Sequence, residues 1–251
     1  MTRLSVVIIT HNEETNLARC LESVRFADEI IMADSHSTDR TVEIASQFGA
    51  RTFTIEWSGF GPAKQFAVDQ ATGEWILSID ADEALSAELA EEIKGIIAGA
   101  PSCDGFDMPR LTNFLGRWIR HCGWYPDRVA RLFRKGRGRF TDATVHESLV
   151  VDGPVGHCRR DLLHYSYPTL EIYFEKFNRY TTMGAEQALA RGERSGLFDL
   201  TIRPAAAFVK HYISKAGLLD GMEGLMISVL SSCAVFIKYA KLRQLQRKAG
   251  K

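Results

Sequence analysis

Glycine is missing where nucleotide-binding loops most often need it. The turn after the first apolar run reads Thr10-His11-Asn12-Glu13-Glu14 and fits neither G-x-G-x-x-G nor G-x-x-x-x-G-K-[ST]. Dinucleotide-cofactor and P-loop chemistry therefore lack their phosphate cradle. Cysteine is scarce and scattered. Cys20, Cys103, Cys122, Cys158 and Cys233 show no C-x-x-C spacing, which supports neither a disulfide framework nor a zinc site. No signal-peptide-like apolar stretch follows Met1-Thr2-Arg3, so the expected compartment is the cytoplasm. The apolar stretch Leu225 to Ile237 holds 13 residues, short of the ~20 that a membrane-crossing helix needs.

Net charge is also absent, but the zero hides an asymmetry. From Thr201 onward nine basic residues face only Asp220 and Glu223, an excess of seven that the first 200 residues balance. An acidic body argues against general nucleic-acid binding, and a basic, apolar tail argues for an anionic membrane surface.

What is present is alternation. Leu4 to Thr10 is a continuous β-branched run, as in a parallel strand buried on both faces. A helical pattern carries Leu17, Leu21 and Val24, and a second strand runs from Glu29 to Ala33. A helix over Thr41 to Phe48, a third strand over Ala50 to Ile55 and a helix bearing Lys64 and Gln65 follow. Trp75 to Ile79 is the fourth strand and Ala87 to Ile97 the fourth helix. Four strand–helix repeats predict a doubly wound α/β sheet, mostly parallel, with helices on both faces. Such sheets bind ligands beyond the carboxyl ends of their strands. The polar clusters fall there: Thr10-His11-Asn12-Glu13, Asp34-Ser35, the loop before Lys64, and Asp80-Ala81-Asp82-Glu83.

Three carboxylates within four residues repel one another unless a cation neutralises them, and hard divalent ions such as Mg²⁺ or Mn²⁺ fit. Helix capping is the alternative use of Asp82 or Glu83, although Ser86 with Glu88 is better placed for it. A D-x-D-x-[TV] phosphatase is excluded, because DADEA follows the fourth strand and carries Ala84.

Beyond Pro101, Gly105 to Arg110 reads as a further strand, and Arg117, Trp118, Arg120, His121, Trp124 and Tyr125 crowd a loop-rich stretch. Aromatic faces beside charged donors suit a sugar acceptor; ordinary core packing is the other reading. Arg128 to Arg134 alternates and predicts a strand with one wet face. Leu170 to Ala190 is an amphipathic helix with Ile172, Tyr173, Phe177, Tyr180 and Met183 as its apolar positions. The terminal stretch, with Lys238, Lys241, Arg243, Arg247 and Lys248 behind it, fits an interfacial membrane helix, a buried subdomain helix or a dimer contact. The domains expected are residues 1–168 and a helical region, 169–251.

The runs SVVIITHNEE, ADSHSTDRT and GPAKQFAVDQATGEWILSIDADE resemble the nucleotide-sugar domain of family 2 glycosyltransferases, whose fold is GT-A. The stretch Val145-His146-Glu147 and His164 resemble, within it, the WaaE-like glucosyltransferases of the lipopolysaccharide core. Ser35 departs from the pattern, since members often carry a second acid there. The resemblance implies an inverting, metal-dependent hexosyltransferase using a nucleotide sugar, UDP-glucose foremost, and a lipid-linked saccharide acceptor. It implies donor contacts from Thr10, Asn12, Glu13, Asp34, Lys64 and Asp80. It further implies a Mn²⁺ or Mg²⁺ site of Asp82, Asp80 and His164, and Glu147 as the base. Asp107, Asp127 and Asp142 are the other candidate bases, and Arg117, Trp118, Trp124 and Tyr125 the acceptor contacts. Such an enzyme works peripherally at the inner face of the cytoplasmic membrane. A nucleotidyltransferase or a non-catalytic nucleotide-sugar-binding scaffold are the competing readings; the first lacks its glycine-rich loop, and the second leaves Asp80, Asp82 and Glu147 without a use.

Overall fold

In the computed structural model, which describes residues 3–141 and 148–249, the apolar runs become the strands of one mixed sheet. Chain order is β1 (Leu4–Thr10), α1 (Leu17–Ser23), β2 (Glu29–Asp34), α2 (Thr41–Gln47), β3 (Arg51–Thr54), α3 (Phe60–Asp69) and β4 (Trp75–Asp80). These strands pair in parallel, in the order β3-β2-β1-β4. There follow β5 (Glu83–Leu85), α4 (Ala87–Ala98), β6 (Gly105–Phe114), β7 (Arg117–Ile119) and β8 (Asp127–Arg134). β8 lies antiparallel between β4 and β6. Next come β9 (Gly138–Phe140), β10 (Leu149–Val151), β11 (Val155–His157) and β12 (Leu162–Tyr167). The last elements are the helices α5 (Leu170–Ala190), α6 (Leu197–Val209) and α7 (Gly221–Ala249).

Two compact units emerge: Met1–Arg110 with Asp127–Tyr165, and Leu111–Pro126 with Ser166–Lys251. The segment Leu111–Pro126 groups with the helices because its apolar residues pack there.

In the first unit the pleat sends successive side chains to opposite faces. Val6, Ile8, Leu77 and Ile79 pack with Leu17 and Leu21 of α1 and Leu89 and Ile93 of α4. Val7, Ile31 and Ile76 pack on the other side with Ala67 and Val68 of α3. Both faces are covered, so the strands read as unbroken apolar runs. Ser86 caps α4 by accepting from the Leu89 amide. In β8 Arg128 is exposed, as alternation suggests, but Arg131 is only 6% exposed, because it meets the acids at the end of β4 described below.

In the second unit Phe114, Ile119, Cys122, Tyr173 and Ile227 form one core, and Ala185, Ala188, Tyr239 and Leu242 another. A side chain at Gly224 would overlap the Gly217 carbonyl oxygen, so glycine is required for α7 to approach the turn before it. The 13-residue apolar stretch is part of this longer helix, and Gly217–Lys248 is long and apolar enough to cross a membrane by length and composition. Lys241, expected in the basic collar, instead hydrogen-bonds to Asn178, Thr181 and Thr182 of α5.

At the amino-terminal edge of the parallel strands, Glu29 gathers hydrogen bonds from Ser5, Thr72, Gly73 and Arg51. Burial alone would raise its carboxyl, but the bonds from Ser5, Thr72 and Arg51 outweigh it and lower the pKa from 4.5 to about 2. A depressed carboxyl contributes stability above its unfolded value and loses it as pH falls towards the folded one. Glu29→Gln is therefore expected to cost about 1–2 kcal/mol at neutral pH, allowing for solvent screening. Urea titrations should show that gap closing as pH drops from about 4.5 to about 2; a gap constant over that window would refute the assignment.

Candidate active site

β1 and β2 are in register so that Thr10 faces Asp34 at their carboxyl ends. The Asp34 carboxylate is 2% exposed. It accepts from the Thr10 hydroxyl (2.8 Å) and from the Ser37 amide and hydroxyl (2.9 and 2.5 Å). Asn12 takes a left-handed backbone, φ 55°, which its short polar side chain tolerates. Its backbone N–H donates to the Ser37 hydroxyl, and its side-chain Oδ1 accepts from the Thr38 backbone N–H. The Glu13 amide donates to the Thr41 hydroxyl. Thr10, Asn12, Glu13 and Asp34 are thus brought together in a rigid double turn, with Asn12 exposed and Glu13 half-buried.

The end of β4 is more heavily charged, and here the structure corrects the sequence. The acids at this end were expected to lack a protein cation. Instead Lys64 Nζ of α3 meets Asp80 Oδ1 at 2.8 Å, and an Arg131 terminal nitrogen of β8 meets Asp80 Oδ2 at 2.5 Å. Lys64 comes from the edge where the sequence places it, whereas Arg131 comes from β8, which the sequence does not place beside this turn. The same Arg131 nitrogen lies 2.7 Å from Glu83 Oε1, while Glu83 Oε2 accepts from the Asp80 amide. Glu83 is fully buried and also pairs with Arg110, which binds Asp127. Burial opposes the charge on Asp80, but the Arg131 and Lys64 cations outweigh it and hold the carboxyl far below the usual range. Burial likewise opposes the charge on Arg131, and Asp80 and Glu83 overcome it. Cys20 lies beneath, its thiol pushed up by burial and by Glu83, Asp80 and Asp82. A thiol so placed stays protonated and unreactive.

Asp82 lies beside this cluster and also reaches His164. Its Oδ2 lies 3.3 Å from His164 Nε2, with side chains 22% and 14% exposed. Strand pairing sets that meeting: β5 and β12 run antiparallel with His164 opposite Glu83, and the Tyr165 amide donates to the Asp82 carbonyl. Among the described residues no three acids, histidines or cysteines cluster tightly enough to cage an ion alone. One carboxylate and one imidazole do fit a borderline divalent ion whose remaining ligands are phosphate oxygens and water.

Of the remaining candidates, Glu147 and Asp142 lie outside the described residues. Asp107 is engaged by Arg128 and His157, and Asp127 by Arg110. Arg117, Trp118, Trp124 and Tyr125 belong to the second unit. There Arg117 pairs with Glu223, Trp124 packs edge-on to Phe114, and Arg120 stacks over Tyr125. Arg131 and Arg110 are the charged partners of this turn that sequence reasoning missed. The available signal was an arginine inside Ala130-Arg131-Leu132-Phe133, a charge in an apolar run that needs a buried acid.

Residues 5–149 match the family model of glycosyl transferase family 2. The lipopolysaccharide core biosynthesis glycosyltransferase LpsC of Rhizobium meliloti is 31% identical, over 96% of this chain and 92% of that protein. An uncharacterized glycosyltransferase of Rickettsia typhi is also 31% identical, over 99% and 89%. The crystal structure of S. aureus TarS residues 1–349 aligns with TM-score 0.48 and 15% identity, covering 98% of this chain and 92% of that one.

The buried cluster has a measurable signature. Arg131→Met leaves buried Glu83 with only the more distant Arg110 and removes one partner of Asp80, a change expected to cost about 3–5 kcal/mol. Adding Glu83→Gln removes an under-compensated buried charge and should restore part of that loss in urea unfolding. A double variant no more stable than the single one would contradict this pairing.

Proposed function

The chain belongs to glycosyl transferase family 2, and from that premise we propose an inverting, metal-dependent hexosyltransferase that moves glucose from UDP-glucose to a lipid-linked saccharide, the lipopolysaccharide core. The observation that carries the reading is the Asp82–His164 pair beside a charge-neutral Asp80–Glu83–Lys64–Arg131 cluster. The first pair retains the ligand chemistry, and the second holds the turn in place. The lipopolysaccharide acceptor is supported by the Rhizobium meliloti relative, a lipopolysaccharide core biosynthesis glycosyltransferase, most of whose length the chain spans.

In this reading Thr10, Asn12, Glu13 and Asp34 bound the nucleoside, and Lys64 faces the diphosphate. Both Asp80 oxygens are engaged by cations, so Asp80 serves the ribose side, and Asp82 with His164 would hold Mn²⁺ or Mg²⁺. The bound ion supplies Lewis-acid stabilisation of the departing nucleoside diphosphate. Attack by the acceptor hydroxyl on the face opposite the nucleotide gives inversion, with a carboxylate taking the hydroxyl proton. Glu147 is assigned that role, and Arg117, Trp118, Trp124 and Tyr125 the saccharide contacts. A lipid-linked acceptor places the reaction at the inner face of the cytoplasmic membrane.

Thermal-shift titration with UDP-sugars tests the donor half, since a true ligand stabilises the fold by mass action. UDP-glucose with Mn²⁺ should raise the midpoint of the wild type but not of Asp82→Asn, and chelation should abolish the effect. An undiminished shift in Asp82→Asn would remove the metal assignment.

Glu147→Gln tests the chemical half. It keeps the shape but removes the base, so turnover should fall roughly 10²–10⁴-fold with donor affinity unchanged. Near-normal turnover, or a product retaining the donor's anomeric configuration by NMR, would disprove the mechanism.

A further inference from the structure

The second unit exposes an apolar surface that its own packing leaves uncovered. Leu197, Phe198, Ile202, Val209 and Ile213 are each between 52% and 77% exposed. The four from Phe198 to Ile213 are spaced four, seven and four residues apart, so they share one face of α6 and the π-helical turn Lys210–Ser214 that continues it. Pro204 is buried instead. Leu219 and Met222 extend the exposed series through the 3₁₀ turn Gly217–Asp220 into the start of α7. Single exposed leucines are ordinary, but a contiguous series of this kind marks a contact surface.

Charge on the same segment selects the occupant. Asp199 is committed to Arg203 and to the amide of Gly196. Asp220 is buried and held by His121. Lys210 and Lys215 are exposed and have no ion-pair partner among the described residues. A symmetric contact with a second copy would bring these lysines to the same face of the partner, where both acids are already engaged. An anionic lipid surface offers apolar depth and negative charge together.

We infer that the face running from Leu197 to Met222 beds into the interfacial layer of an anionic bilayer. This deepens the reading of a lipid-linked acceptor and rests on it. Contact thereby shifts from the basic C-terminal collar, whose Lys241 is used inside the unit, to α6 and the turns after it. Apolar insertion supplies most of the binding, and Lys210 and Lys215 select the anionic leaflet.

Sedimentation of the full chain with phosphatidylglycerol/phosphatidylethanolamine vesicles, and with phosphatidylcholine alone, tests this. Leu197→Ser/Phe198→Ser/Ile213→Ser should lower partitioning to anionic vesicles about tenfold or more. Lys210→Glu/Lys215→Glu should lower it on anionic vesicles and leave the weaker binding to phosphatidylcholine unchanged. Both sets are exposed, and both variants should keep the wild-type melting temperature and transfer to a detergent-solubilised acceptor. Transfer absent from the wild type as well would fail the proposed function, while sedimentation still decides this inference. Wild-type partitioning by both variants overturns it. So does a wild-type dimer in light scattering that the serine variant splits, or vesicle-bound protein that resists alkaline carbonate as a spanning helix does.

Discussion

Two carboxylates and two cations, Asp80 and Glu83 with Lys64 and Arg131, are packed together where β4 ends, each arriving from a different stretch of chain or side of the turn. Any one of these charges alone in that space would be costly, because desolvation of a buried ion exceeds what a typical fold can absorb. Together they are neutral, and most of their polar atoms find partners. Removing one member therefore does more harm than never having built the cluster. Such an arrangement contributes less to net stability than to fixing one conformation of the turn.

Neutrality here has an electrostatic consequence next door. Asp82 is two residues from Asp80 and one from Glu83, yet the charges of both neighbours are met within the protein. Asp82 also meets His164, at 3.3 Å, an imidazole that accepts a metal when neutral. The three clustered acids that the sequence displays thus differ in their partners: Asp80 and Glu83 share Arg131, and Asp82 reaches His164.

Much of this architecture was legible from residue order. Parallel strands buried on both faces leave unbroken β-branched runs, and Leu4 to Thr10 or Trp75 to Ile79 admit little else. The helix start at Ser86 was equally plain, because an N-cap is a local interaction. Arg131 was not legible. Alternation in Arg128 to Arg134 suggests a solvated face, and only the antiparallel insertion of β8 beside β4 brings that guanidinium to Asp80. The grouping of Leu111–Pro126 with the helices was hidden for the same reason. Long-range pairings decide both, and no local pattern encodes them. Lys241 was hidden in a different way: a lysine on a helix reads as solvated until its hydrogen-bond partners, here on α5, are known.

The Asp82–His164 pairing is set by strand register, since His164 sits opposite Glu83 across β5 and β12. Side chains alternate along a strand, so a shift of one residue would carry His164 to the other face of the sheet. The chain enters β12 through residues 158–161, where Cys158 is buried in the core and the Arg159 and Arg160 amides donate to Glu92 of α4. That connection is therefore pinned at both a packing and a hydrogen-bonding point immediately before the strand whose phase joins His164 to Asp82. A protein that lengthened or shortened it would have to give up one of those anchors or the register, so the pairing of two side chains 82 residues apart is guarded by the four residues that lead into the strand.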